Sequence, residues 1–215
     1  MGLIGRNGAG KSTTIKSVLN LIHSTGQIRY FGSDLMENEA YVKQHIGYAC
    51  GEVDYYRKKK ISSIVKVTRK FFDNWDEDAY EKYLKLFDLN ESKTPGELSS
   101  GMKVKLNLAL ALSHGARLLI LDEPTSGLDP VSRDELLEIF SYLAREGTAI
   151  LFSTHITSDL DKCADTITYI RNGQLLYTGG LSDYVQSCRK QGFGSNLEEI
   201  MIHFEREALH AKFAL

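Results

Sequence analysis

The stretch "GRNGAGKS", from Gly5 to Ser12, constrains this chain more than any other feature. A glycine, four residues and then Gly10-Lys11-Ser12 is the pattern of a loop that joins a buried strand to a helix and cradles phosphate. Glycine is needed there because successive backbone N–H groups must converge on an anion, and side chains would block both the backbone angles and the approach. Gly5, Gly8 and Gly10 meet that need. Lys11 is then placed to reach the β and γ phosphates, Ser12 to offer a hydroxyl to Mg²⁺, and Thr13 to sit at a helix N-terminus, where the dipole favours negative charge. Asn7, in the same loop, counts with the nucleotide contacts. The spacing of Ile15, Val18, Leu19 and Ile22 predicts a helix from Lys11 to His23.

Downstream, strands alternate with helices. "GQIRYFGSD" reads as a half-buried strand turning at Gly32, and "HIGYA", from His45, as another. Between Ile61 and Asn90 the period changes. Ile61, Ile64, Val65, Thr68, Phe71 and Phe72 form one helical stripe, and Ala79, Tyr80, Tyr83, Leu84 and Phe87 a second, with "DNWDED" between them. "LSSGMKVKLNLALAL" opens a helix with Ser99 or Ser100 as N-cap, and "RLLILDEP" is a short apolar run of the kind a fully buried parallel strand shows. Asp129-Pro130 supplies a cap and a first-turn proline for a helix from Val131 to Glu146, with Gly147 as its stop. "TAILFS" reads as the next buried strand, and "TITYIRNGQLLYTG" as two strands around Asn172-Gly173. From Leu181 onward two short helices are expected, hinged at "GFGS", with Leu197, Ile200, Met201 and Phe204 covering the core.

The expected class is therefore α/β: a P-loop NTPase core with a parallel sheet, a small antiparallel β portion and an inserted α-helical subdomain. The expected boundaries within the single domain are residues 1–55 and 103–180 for the core, 56–102 for the helical subdomain and 181–215 for a helical tail. With 215 residues, 42% of them hydrophobic, the chain can bury a sizeable core. Its net charge of −2 gives no general drive toward nucleic acid or anionic lipid, so no nucleic-acid partner is expected. Cys50, Cys163 and Cys188 form no C-x-x-C pair, which fits a reducing cytosol, and no run of apolar residues reaches bilayer length. Cys50 is expected in the core.

Hydrolysis of a bound triphosphate also needs a carboxylate for the metal and a group that orients or deprotonates water. "LLILDEP" offers both, with Asp122 for Mg²⁺ and Glu123 beside it for the water. One helix upstream lies "LSSGM", Leu98 to Met102. Together with "GRNGAGKST", "LLILDEP", "SGLD" and the histidine of "STHI", all in order, this resembles the ATP-binding cassette (ABC) family between Met1 and about Asp183. The resemblance implies an ATPase, with ATP and Mg²⁺ as ligands. It implies that Ser99 and Gly101, at a helix N-terminus, contact the γ phosphate held by a second subunit, that His155 touches this phosphate and organises Glu123, and that Asp129 links the two sites. One chain would then be half of each site, in a homodimer or a heterodimer with a related ATPase. ABC transporter transmembrane subunits are the implied partners, and the cytoplasmic face of the cell membrane the implied location.

Two departures matter. Many family members carry Gln where "IGYACGE" places Glu52, which can still accept from water or bind the metal but adds a negative charge. Ser100 and Met102 stand where Gly and Gln are commoner in the signature, which resembles bacterial exporters of the drug, lantibiotic and peptide class. The basic run Arg57 to Lys60 is expected to be either a solvated helix start or the rim of a surface that receives a membrane subunit. The resemblance also implies a segment before Gly5 with two antiparallel strands and an adenine-stacking aromatic, so either an internal methionine was assigned as the start or the chain is truncated. Alternatives to the exporter ATPase are a non-transport ABC ATPase and an ABC protein that does not turn over ATP.

Overall fold

The computed structural model describes residues 1–50 and 57–213, with side chains through Arg206. The chain contains two compact bodies, Met1–Lys11 with Thr154–Leu215, and Ser12–Ser153.

In the second body, helix α1 (Lys11–Val18) begins at the junction and stops earlier than its apolar spacing predicts. Asn20 adopts a left-handed φ of 55°. Its N–H reaches the Ser17 carbonyl at 3.0 Å, and that of Leu21 reaches Lys16 at 2.8 Å, which ends the helix before His23. Strands β2 (Arg29–Tyr30) and β3 (Ser33–Asp34) form an antiparallel pair around Phe31 and Gly32, both at positive φ as a two-residue hairpin turn requires. Helix α2 (Glu39–Gln44) leads into strand β4 (Ile46–Cys50).

Helix α3 (Ile61–Thr68) buries Ile61, Ile64 and Val65, as the stripe predicts. Its register is then lost in a 3₁₀ turn from Arg69 to Phe71, which leaves Phe71 69% exposed instead of packed. Helix α4 (Glu77–Leu86) starts at Asp76, whose carboxylate accepts the Ala79 N–H at 3.0 Å. Helix α5 (Ser100–Ser113) takes Ser99 as its cap, its hydroxyl accepting from the Met102 N–H at 3.2 Å. From Leu106 to Ser113 every α5 residue is buried, the all-round apolar character of a helix at the centre of a core.

Strand β5 (Leu118–Asp122), helix α6 (Pro130–Arg145) and strand β6 (Ala149–Thr154) follow. Strands β4, β5 and β6 pair in parallel, with Ala49 beside Leu121, Leu121 beside Phe152 and Asp122 beside Ser153. Leu119, Ile120, Leu121, Phe140 and Phe152 are each at most 2% exposed and form the centre of this body. Gly47 lets β4 lie against α5, because a Cβ there would press on the Ala111 methyl and stand 2.7 Å from Leu119 Cδ2.

In the first body, strand β1 (Gly2–Ile4) pairs in parallel with β7 (Thr166–Arg171), which turns at Asn172 and Gly173 into antiparallel β8 (Gln174–Gly180). Helix α7 (Thr157–Cys163) precedes this hairpin, and α8 (Leu181–Lys190) and α9 (Leu197–Phe213) follow it. Leu197, Ile200 and Met201 are buried and Phe204 is half-buried. Helix α9, at 17 residues, is longer than the short helix expected.

The expected α/β class with parallel pairing and a smaller antiparallel portion holds. Helices α2 and α7 are absent from the sequence-based expectations because six and seven residues are too few for a 3.6-residue period to declare itself.

Candidate functional site

The glycine-rich loop is already wound. Gly8 and Gly10 sit at φ of 82° and 112°, left-handed angles that favour glycine. Gly5 is fixed by packing instead, since a Cβ there would strike the backbone carbonyl of Ile170 and come within 3.0 Å of the Ala9 methyl. The Gly173 N–H donates to the Ala9 carbonyl at 2.9 Å, so the β7–β8 hairpin braces the loop. Lys11 is 5% exposed and donates its Nζ to the Gly5 carbonyl at 2.8 Å and the Arg6 carbonyl at 3.3 Å. Asn7, Gly8, Ser12 and Thr13 are exposed.

Arg6 meets helix α9. Its Nη1 lies 3.3 Å from the Glu205 carboxylate, which also accepts the Tyr169 hydroxyl at 3.1 Å. Burial, reinforced by that carboxylate, pushes the Tyr169 hydroxyl well above its ordinary pKa, so it remains a donor. His155 is exposed and lines a cavity of about 460 Å³ together with Arg6, Thr157, Ser158, Glu198 and Glu205. Of the loop, Arg6 thus lines one concave surface with the histidine of "STHI".

The acid pair lies at the end of β5. Asp122 is 7% exposed and Glu123 is half-buried with a left-handed φ of 51°. Between them stands Ser153, fully buried on β6: its hydroxyl donates to Asp122 Oδ1 at 2.6 Å and accepts the Glu123 N–H at 2.9 Å. On the neighbouring strand, desolvation pushes the Tyr48 hydroxyl up to about 12, with the Asp122 carboxylate adding to the shift. Neither Ser153 nor Tyr48 is singled out by motif. Pairing the last residue of "LLILD" with the serine of "TAILFS" is the register step that would have found the first. Glu52, the other expected metal ligand, lies outside the described residues. Cys50 is half-buried rather than in the core, because β4 ends beside Asp122. Arg57 to Lys60 are all exposed.

The signature segment forms the first turn of α5. Ser99 and Ser100 are exposed, and Gly101 is buried. A Cβ on Gly101 would meet only ordinary contacts, 3.7 Å from Leu128 and from Ser132. Glycine inside a helix is worth about 0.5–1 kcal/mol less than alanine, so this chain's own packing gives no reason for it. Asp129 caps α6, accepting from the Val131 and Ser132 N–H groups at 3.0 and 3.1 Å. Hydrogen bonds from the Ser132 side chain and backbone hold its carboxyl below the usual range.

No group of three or more His, Cys, Asp or Glu that could hold a metal is found among the described residues. The donors the sequence does offer, the Ser12 hydroxyl and the Asp122 carboxylate, are hard oxygens. They suit a cation such as Mg²⁺, which takes one or two protein ligands and completes its shell from phosphate and water. No helix among the described residues is long and apolar enough to cross a membrane.

Residues 1–126 match the ABC transporter family. The bacitracin transport ATP-binding protein BcrA of Bacillus licheniformis is 36% identical over 179 residues, covering 81% of this chain and 58% of that protein. The ABC transporter ATP-binding protein NatA of Bacillus subtilis is 31% identical over 201 residues, covering 89% of this chain and 80% of that protein. A solved ATP-binding subunit of an ABC transporter superimposes with a TM-score of 0.80 at 31% identity, over 94% of this chain and 85% of its own. The chain therefore spans a little more than half the length of the bacitracin protein it matches. With its ordered motifs, its wound phosphate loop and its strand-end acid pair, this chain belongs to the ABC transporter family.

Proposed function

We propose that the chain is the ATP-binding and hydrolysing subunit of a bacterial ABC exporter and that it works by nucleotide-driven dimerisation. Lys11 carries the reading furthest. Its ammonium is buried and held on the carbonyls of its own loop, so a triphosphate would meet a cradle that needs no folding of its own.

In this reading the loop N–H groups, Asn7, Gly8, Gly10 and Thr13 hold the phosphates, and Lys11 balances their charge. Ser12 and Asp122, with Glu52 as a further candidate, would hold Mg²⁺, which would supply positive charge to offset the charge that develops on the phosphates. Glu123 orients a water for in-line attack on the γ phosphorus and takes its proton. The bond from that phosphorus to the ADP oxygen breaks, leaving ADP and phosphate. His155 holds the γ phosphate and keeps Glu123 in place. Ser99, Gly101 and the α5 N-terminus of a second copy complete the pocket from the other side, which gives the otherwise unexplained Gly101 a reason: close approach of a ligand. Two chains closing on two nucleotides would separate once hydrolysis removes the shared phosphate, and transmembrane subunits would receive that movement at the cytoplasmic face of the membrane. The exporter assignment draws on the bacitracin transport named for one relative.

The test is hydrolysis by the full-length protein across a concentration series. Specific activity should rise with concentration as dimers form, and Lys11→Ala should lower it by at least about a hundredfold, in the range that loss of a transition-state charge partner produces. Specific activity independent of dilution, or retained without Lys11, contradicts the proposal.

A further inference from the structure

We infer that Ser153 is a positioning residue for nucleotide hydrolysis, acting through its hydroxyl on both members of the acid pair. The inference rests on the ATPase reading above and deepens it.

A buried serine hydroxyl has one proton to donate and two lone pairs to accept with. Ser153 uses the proton on Asp122 Oδ1 at 2.6 Å and a lone pair on the Glu123 N–H at 2.9 Å. The parallel register makes this inevitable, because Asp122 and Ser153 are direct cross-strand partners and the chain turns away immediately after Asp122. Each bond has a separate consequence. Fixing one carboxylate oxygen of Asp122 fixes the plane of the carboxyl and the direction its other oxygen offers to a cation. Tying down the Glu123 N–H holds a non-glycine residue at a φ of 51°, a conformation that side chains rarely adopt and that sets where its carboxylate points. One hydroxyl thus couples the metal-facing acid to the water-facing acid, and complete burial leaves no solvent to take its place.

Alternative roles fit the geometry less well. A purely structural serine directs its hydroxyl to a backbone carbonyl of its own element, as Ser113 in α5 does to Ala109 at 2.6 Å and Ser141 in α6 to Leu137 at 3.0 Å. Both bonds of Ser153 go to the acid pair itself.

Ser153→Ala removes the hydroxyl without adding bulk, and Ser153→Thr keeps it. ATP affinity should be measured calorimetrically on the full-length protein with Mg²⁺ and with EDTA, beside steady-state hydrolysis and the melting temperature. Ser153→Ala should lower kcat about tenfold or more with KM for ATP nearly unchanged, in line with misplacement of catalytic groups rather than lost binding. Its affinity in EDTA should match the wild type, while the gain conferred by Mg²⁺ shrinks, and Ser153→Thr should restore both. Wild-type kcat and an undiminished Mg²⁺ gain in Ser153→Ala overturn the inference. So does a fall in kcat and EDTA affinity together with a lowered melting temperature, which is what a merely structural residue produces. If the wild-type protein shows no Mg²⁺-ATP affinity at all, the ATPase reading fails first and takes the inference with it.

Discussion

Glu205→Ala is a perturbation whose cost can be worked from the structure. The carboxylate serves two donors of very different worth. The Tyr169 hydroxyl, 3.1 Å away, belongs to a side chain only 1% exposed, so losing its charged acceptor leaves a buried donor with poor access to water. Such a bond is worth about 1.5–3 kcal/mol. The Arg6 guanidinium, at 3.3 Å, is 69% exposed, and a pair of that kind contributes about 1 kcal/mol at most. The sum is about 1.5–4 kcal/mol, dominated by Tyr169, and for a chain of this size corresponds to a fall in Tm of roughly 3–16 °C. Urea unfolding followed by circular dichroism on Glu205→Ala, Tyr169→Phe and the double variant separates the contributions. A coupling energy of about 1–2 kcal/mol is expected, and Arg6→Ala should be nearly silent. Additivity of the two substitutions within about 0.5 kcal/mol, or an Arg6→Ala loss as large as that of Glu205→Ala, refutes the reasoning.

Two further outcomes follow from packing and burial. Gly47→Ala forces a methyl against Ala111 and Leu119, where neither strand nor helix can yield easily, and should destabilise by about 1–3 kcal/mol in chemical unfolding; a neutral result would show that β4 and α5 are not in close contact. His114 is 3% exposed, stacks on Phe72 with ring centroids 3.7 Å apart, and is bonded through Nδ1 to the Gln44 carbonyl at 3.0 Å. Burial lowers its pKa, so the unfolded chain binds the proton more readily. Its contribution to stability is therefore full above the unfolded value of about 6.5 and is lost as pH falls toward the lower folded value. Tm measured against pH should drop less steeply below 6.5 in His114→Phe than in the wild type, and parallel profiles would contradict this assignment.

Much of this was legible in the sequence wherever local chemistry and long-range packing agree. The loop glycines, the run "LLILD", the Asp129-Pro130 cap and the Asn172-Gly173 turn each carry their own conformational demand, and each is realised as read. Legibility failed where a boundary is set by one residue's backbone angle or by a distant partner. Ile22 continues the apolar spacing of α1, yet the left-handed Asn20 ends that helix first. Phe71 extends the stripe of α3 but falls in a tightened turn. Ser153 carries no motif of its own, and its place between Asp122 and Glu123 exists only once two strands are set in register. The contact of Glu205 with Arg6 spans almost the whole chain and has no local signature.

Whether one chain holds only half of each nucleotide pocket, as we propose, is decided by the mass in solution of the full-length Glu123→Gln variant. With hydrolysis blocked, light scattering in Mg²⁺-ATP should report a dimer that returns to monomer in EDTA or when Ser99 and Gly101 are both replaced. A variant that binds ATP yet remains monomeric at high protein concentration would contradict the account.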